Sequence, residues 1–249
     1  MRAAAFTARS AAGGGGRSER ETPGPGAEVA VRDVRACSLN RHDLWILDGD
    51  SAMVDGGDLP FVSGLDVAGT VREVGAAVRD VEPGDRVVLC PNETCGSCQY
   101  CREGPENLCE RFSLFHGGLA ETARGPADRL LALPEGVTPV EAAAVPTAYM
   151  TAYHMFRQAD LEVGDRVFVP GATGGVGVAT VQIADALGLE SVGTSSSGRK
   201  LDRVRELGLD RGVESTDIDT IREAVDGRFD AVFNHLGGAY TGLGQSVLR

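Results

Sequence analysis

Polar and apolar residues alternate from position 28 to 34 and again from 67 to 75, the period of strands that bury one face. Residues 1–7 read as a further short strand, and 86–90 as another that follows the turn Pro83-Gly84-Asp85. Between them lie polar, glycine-rich connections. Residues 13–16 with Arg17-Ser18-Glu19-Arg20 read as a flexible stretch, Pro23-Gly24-Pro25-Gly26 as a turn and residues 55–57 as a loop. Many short strands with little helix predict a compact β-rich domain up to about Pro134, and residues 141–153 then turn helical and alanine-rich.

The pattern changes near Leu161. Residues 165–170 form an apolar strand, followed at once by Gly171-Ala172-Thr173-Gly174-Gly175-Val176-Gly177 and by a helical spacing over 178–187. Strand, glycine turn and helix open a dinucleotide-binding βαβ unit, with Ala172, Gly174, Gly175, Val176 and Gly177 as the candidate pyrophosphate cradle. The glycines allow the tight turn and close backbone approach, and the helix N-terminus offers unpaired N–H groups to an anion. The next strand, 191–194, ends in Ser195-Ser196-Ser197-Gly198-Arg199-Lys200. No carboxylate stands at 195–197 to hold two ribose hydroxyls, whereas Ser196, Arg199 and Lys200 suit a 2′-phosphate. NADPH is therefore expected over NADH, against the plainer alternative that two cations decorate a helix start.

Strands near Val213 and over 229–234 follow, the last ending at His235, a further candidate cofactor contact; a helix begins near Ala239. A complete dinucleotide sheet has six strands, of which four are visible. The chain is thus expected to be cut short, leaving strand 229–234 as an apolar exposed edge.

Cys95, Cys98, Cys101 and Cys109 are spaced x2, x2 and x7 among turn-forming residues. Four thiolates so arranged close a tetrahedron around one Zn²⁺ with no position left for water, which makes the site structural. A ferredoxin-like cluster would close with x3 and a proline, yet Glu110 follows Cys109. Nothing at the N-terminus resembles a signal peptide, so a reducing, cytoplasmic setting is expected rather than disulfides.

A net charge of −12 and pI near 4.8 make nucleic acid and anionic membranes poor partners, and the apolar runs are too short to span a bilayer. Lys200 is the only lysine. The acidic, lysine-poor composition suggests a halophile, or alternatively a GC-rich genome.

Together these features resemble the medium-chain dehydrogenase/reductase superfamily, in its quinone oxidoreductase-like branch that keeps the zinc lobe. The resemblance implies an α/β chain: a GroES-like β-barrel catalytic domain over 1–140 with its zinc lobe at 90–111, and a Rossmann domain with a doubly wound parallel sheet over 141–249, incomplete at its end. It implies a nicotinamide cofactor, small carbonyl or quinone substrates and, for the full-length form, a homodimer. Zinc alcohol dehydrogenases of the superfamily bind a second, catalytic zinc, but here Asn40, Leu65 and Ala143 stand at the three ligand positions. Leucine and alanine donate nothing to a metal.

Roles by position follow from the same resemblance. Asn40 would donate to the substrate carbonyl, His42 would supply the proton and Asp43 would orient the loop. Arg41 would meet the pyrophosphate and Thr147 the carboxamide. His42 as a solvent-exposed residue at a helix start is the plainer reading, while Cys90, His116 and His154 read as surface or packing residues. No tyrosine falls in 47–53, which argues against an enoyl-thioester reductase. The expected activity is metal-free hydride transfer from NADPH to a quinone or α,β-unsaturated carbonyl. A zinc alcohol dehydrogenase with unusual ligands and a non-catalytic cofactor-binding fragment are the alternatives.

Overall fold

The computed structural model describes residues 1–8, 14–54, 58–225 and 227–249. The loop read at 55–57 and the first glycine of the 13–16 stretch lie outside them. The chain divides into two compact units, Met1–Thr147 and Ala148–Arg249, so the division falls beyond the expected position 140.

In the first unit β1 (Arg2–Phe6) pairs antiparallel with β2 (Gly15–Glu19), Arg2 opposite Glu19 and Phe6 opposite Gly15. Part of the stretch expected to be flexible is therefore a strand. Its Gly-Gly-Arg-Ser-Glu sequence carries no apolar side chain, so no periodicity marked it. Next come β3 (Val29–Ser38), α1 (Arg41–Asp48), β4 (Asp66–Val74) and β5 (Arg86–Leu89). A lobe follows, built from β6 (Asn92–Glu93), α2 (Gln99–Glu103) and β7 (Ser113–Leu114). β8 (Thr122–Pro126) and β9 (Leu130–Ala132) complete a five-stranded antiparallel sheet in the order β8-β3-β4-β5-β9. Ala30, Val67, Val71, Val87, Leu89 and Leu130 fill its core. The short α3 (Pro139–Ala143) starts in a Thr138–Glu141 capping box, and α4 (Pro146–Gln158) runs across the division.

The second unit opens with β10 (Arg166–Val169), α5 (Gly175–Ala186) and β11 (Glu190–Ser195). It continues through α6 (Gly198–Arg205), β12 (Arg211–Glu214), α7 (Ile218–Ala224), β13 (Ala231–Val232) and α8 (Ala239–Val247). The four strands pair in parallel in the order β12-β11-β10-β13, the 3-2-1-4 arrangement of a dinucleotide-binding sheet. Period-two alternation divides β10 between two cores. Val167 and Val169 pack with Val181, Ala184 and Leu201, whereas Phe168 packs with Ile221, Leu243 and Val247. All three β10 side chains are fully buried, and burial of each stabilises by about 1.5–3 kcal/mol.

The expected apolar edge is shorter than the sequence suggested. Phe229 is fully buried and bridges Leu248 beyond α8, and only Ala231 and Val232 form ladder pairs with β10. Among the described residues no helix is long and apolar enough to cross a membrane.

Candidate functional site

The cysteine lobe is built by two turns. Cys98 caps α2, which carries Cys101, and a single turn of 3₁₀ helix over Glu106–Leu108 delivers Cys109. The ligand atoms of Cys95, Cys98, Cys101 and Cys109 all lie within 4.8 Å of one another. Sulfurs 95 and 101 are 3.8 Å apart, which matches the edge of about 3.8 Å of a tetrahedron with metal–sulfur bonds of about 2.3 Å. Backbone N–H groups of Ser97 and Cys98 point at Cys95 Sγ, and that of Cys95 at Cys109 Sγ. The Ser97 hydroxyl and N–H, with the Cys98 N–H, pull the Cys95 thiol down to about 5. A closed set of four soft donors, one already biased to thiolate, fits a structural Zn²⁺. Arg129 ties the lobe down, donating to both Glu106 carboxylate oxygens and to Thr94 Oγ1.

A second constellation centres on Asp66, a residue to which the sequence reading gave no role. It opens β4, is 1% exposed and accepts four hydrogen bonds. Oδ1 takes the Thr147 N–H at 3.1 Å and its Oγ1 at 2.7 Å; Oδ2 takes Ser38 Oγ and Asn40 Nδ2, each at 2.9 Å. Asp66 thus draws Asn40 and Thr147 to one carboxylate, leaving the second Asn40 amide N–H for another acceptor. Asp43 fixes the loop beside it: the carboxylate accepts the Asn40 backbone N–H at 2.6 Å, the Gly64 N–H and the Ser63 hydroxyl. Leu65 and Ala143 are both buried, and Ala143 packs with Ala68 and Ala142. Burial, aided by the charges of Asp43 and Asp66, pushes the Cys37 thiol up to about 12, so it stands there as a neutral thiol.

His42 lies on the first turn of α1 and is half-buried rather than solvent-exposed, while Arg41 is exposed. Its ring stacks on His116 with centroids 5.3 Å apart and meets Trp45 edge-on; His116 in turn meets Phe61. The Nε2 of His42 and both ring nitrogens of His116 are buried without a hydrogen-bond partner. Burial lowers both imidazoles, with His116 driven to about 4 by burial and by His42. His116 therefore belongs with the candidate proton donor, a neighbour that no motif announced.

In the second unit the glycine turn is sewn to β11. The Gly171 N–H donates to Thr194 Oγ1 and the Ala172 N–H to the Thr194 carbonyl. Ala172 is fully buried, so it shapes the turn from beneath rather than facing a ligand. Gly177 is demanded by packing, because a Cβ there would come within 2.3 Å of the Gly171 carbonyl oxygen. Gly174 and Gly175 are not. They are exposed, and the nearest atoms to an added Cβ are 3.5 and 3.8 Å away. Their bare backbone, with Val176 in the same first turn of α5, fits a pyrophosphate that needs the space for itself. At the end of β11, Ser195 is buried against Thr173 Oγ1 at 2.8 Å, while Ser196, Arg199 and Lys200 are exposed. The sequence reading found no carboxylate at this point, yet the parallel register sets Glu214 of β12 opposite Ser195 and its carboxylate lies against Gly198. His235 follows β13 with a buried, unpartnered Nδ1, and burial lowers its imidazole.

Known proteins agree with this layout. Residues 24–135 match the alcohol dehydrogenase GroES-like domain and residues 175–248 the zinc-binding dehydrogenase domain. An alcohol dehydrogenase of Geobacillus stearothermophilus is 34% identical over 80% of this chain and 60% of its own length. An acryloyl-coenzyme A reductase of Metallosphaera sedula is 33% identical over 73% of the chain and 55% of its own. The structure of a cobalt- and zinc-bound thermostable alcohol dehydrogenase from Pyrobaculum aerophilum superposes with a TM-score of 0.87 at 32% identity, covering all of this chain and 74% of that one. The chain spans about 60% of the length of the curated relatives it matches. It belongs to the medium-chain, zinc-binding dehydrogenase/reductase family.

Proposed function

We propose that this chain carries the substrate-polarising and cofactor-binding parts of an NADPH-dependent reductase whose acceptor is a quinone or an α,β-unsaturated carbonyl, with no catalytic metal. The Asp66 carboxylate carries the proposal. It anchors Asn40 where a zinc dehydrogenase would place a thiolate, while the other two ligand positions hold Leu65 and Ala143. A conjugated acceptor delocalises incoming negative charge, so an amide N–H suffices where a simple ketone would need a Lewis acid.

A bound nicotinamide dinucleotide supplies the hydride. Asn40 directs its free amide hydrogen at the acceptor oxygen, held in orientation by Asp66 Oδ2. Asp43 fixes the Asn40 backbone, so the amide is preorganised rather than recruited. His42, kept neutral near pH 7 by burial, relays the proton that completes reduction, giving up its ring N–H as the other nitrogen takes a proton that originates in solvent, and its stack on His116 fixes the ring plane. Gly174, Gly175 and Val176 cradle the pyrophosphate, and Arg199 and Lys200 with Ser196 hold a 2′-phosphate. The four cysteines hold one structural Zn²⁺ that takes no part in chemistry. A cytoplasmic setting suits a site of four zinc-binding thiolates. A panel of quinones, enones and simple alcohols, run with NADPH and with NADH, tests the reading. Oxidation of simple alcohols with two zinc ions per chain would favour a metal-dependent alcohol dehydrogenase instead.

A further inference from the structure

Arg32 lies in the middle of β3, and the alternation of residues 28–34 counts it among the strand's polar positions. In the structure it is 0% exposed, the largest fully buried side chain among the described residues. It stands opposite Val71 on β4 and Ala123 on β8, and its guanidinium reaches Gly125, where an added Cβ would lie 3.3 Å from both terminal nitrogens and 3.6 Å from Leu89. Nε, Nη1 and Nη2 are all buried without a hydrogen-bond partner. No ion pair involves it among the described residues. The neighbouring Asp33 is engaged with Arg72 at 2.6 Å.

A guanidinium cannot relieve this by losing its proton. Burial lowers it only to about 10, so it remains charged at neutral pH. An uncompensated buried charge is strongly destabilising, and five N–H donors without acceptors add to that. Water satisfies donors but brings no opposite charge. The surrounding Ala30, Val67, Val71, Leu89 and Ala123 are apolar and offer neither an acceptor nor a counter-charge, so a partner drawn in from solvent must be an anion small enough to enter a packed core.

We propose that Arg32 is the core of an internal binding site for a monovalent halide, chloride in the cell, inside the five-stranded sheet domain. Gly125 belongs to the site because it leaves the space the guanidinium head occupies. The ion would bind only the folded state and stabilise it by mass action, so the melting temperature would rise with the logarithm of chloride above the dissociation constant.

The test compares thermal unfolding of the full chain in potassium chloride and potassium gluconate at matched ionic strength, which removes general screening of the acidic surface. The wild type should melt higher in chloride than in gluconate at every concentration above the dissociation constant, by a margin that grows with the logarithm of concentration. Arg32→Met, apolar and similar in length, should lose the whole chloride-specific increment. Identical melting in the two salts, or the same increment in Arg32→Met, overturns the proposal. A bromide soak of wild-type crystals decides the matter even if the variant does not fold. An anomalous peak beside the guanidinium supports the site, and a well-ordered Arg32 with water alone, or a carboxylate, overturns it.

Discussion

Asp66 and Thr147 stand 81 positions apart in the chain and are joined by two hydrogen bonds, from the Thr147 N–H at 3.1 Å and its hydroxyl at 2.7 Å, to one carboxylate oxygen. The other oxygen holds Asn40 and Ser38. One buried carboxylate therefore sets the geometry of two residues that the family resemblance had treated separately.

Removing that carboxylate should cost both stability and function. Asp66→Ala takes the shared acceptor from four part-buried donors and should destabilise by on the order of 3 kcal/mol in urea unfolding. Asp66→Asn keeps one acceptor oxygen but turns an amide NH₂ toward either Thr147 or Asn40, so about 1–3 kcal/mol should be lost. Unchanged stability in both variants would remove Asp66 from its place at the centre of the site.

The glycines of the nucleotide turn should separate packing from binding. Gly175→Ala should fold with an unchanged melting temperature, yet bind NADPH roughly tenfold more weakly, about 1.4 kcal/mol. Gly177→Ala forces a methyl onto the Gly171 carbonyl and should destabilise by about 1–3 kcal/mol. Dinucleotide affinity by calorimetry, beside a melting curve, checks both. Full affinity in Gly175→Ala would show that the exposed turn is not the cradle.

Cofactor choice should respond in opposite directions to two neighbours. Replacing Arg199 and Lys200 by alanine removes two exposed charge-assisted contacts of about 1.5 kcal/mol each, weakening NADPH much more than NADH. Glu214→Gln removes the carboxylate lying against Gly198 and should tighten NADPH a few-fold. Equal effects on both cofactors would refute a 2′-phosphate contact.

His116 should make folding pH-dependent in a defined window. Its imidazole is lowered from 6.5 to about 4 in the folded protein, so the unfolded chain binds the proton more readily. Its contribution is complete above pH 6.5, is lost as pH falls toward 4 and levels off below, amounting to at most about 3 kcal/mol. His116→Phe keeps a stacking ring and should reduce the slope of the urea midpoint over that window, the remainder coming from His42 and His235; an unaltered slope would contradict the assignment.

The sequence disclosed what periodicity and spacing encode. The apolar strands at Val167, Val192, Val213 and Val232 appear as β10 to β13, and the four cysteines converge as their spacing requires. It did not disclose what depends on pairing across the fold. β2 has no apolar face to register. Glu214 and His116 carry no local motif, and they, like Asp66, gain meaning only from neighbours delivered by other strands and loops. In the sequence Arg32 is one more polar position in an alternating strand, because alternation shows which residues share a face but not that a charged one occupies the core.

The central claim is reduction of a conjugated acceptor without a catalytic metal. Its most direct measurement is NADPH oxidation with a quinone and enone panel by protein whose metal content has been determined on the same sample. The account predicts turnover at about one zinc per chain, no oxidation of simple alcohols and loss of turnover in Asn40→Ala with the zinc retained. Alcohol oxidation that tracks a second zinc, or full quinone turnover in Asn40→Ala, would contradict it.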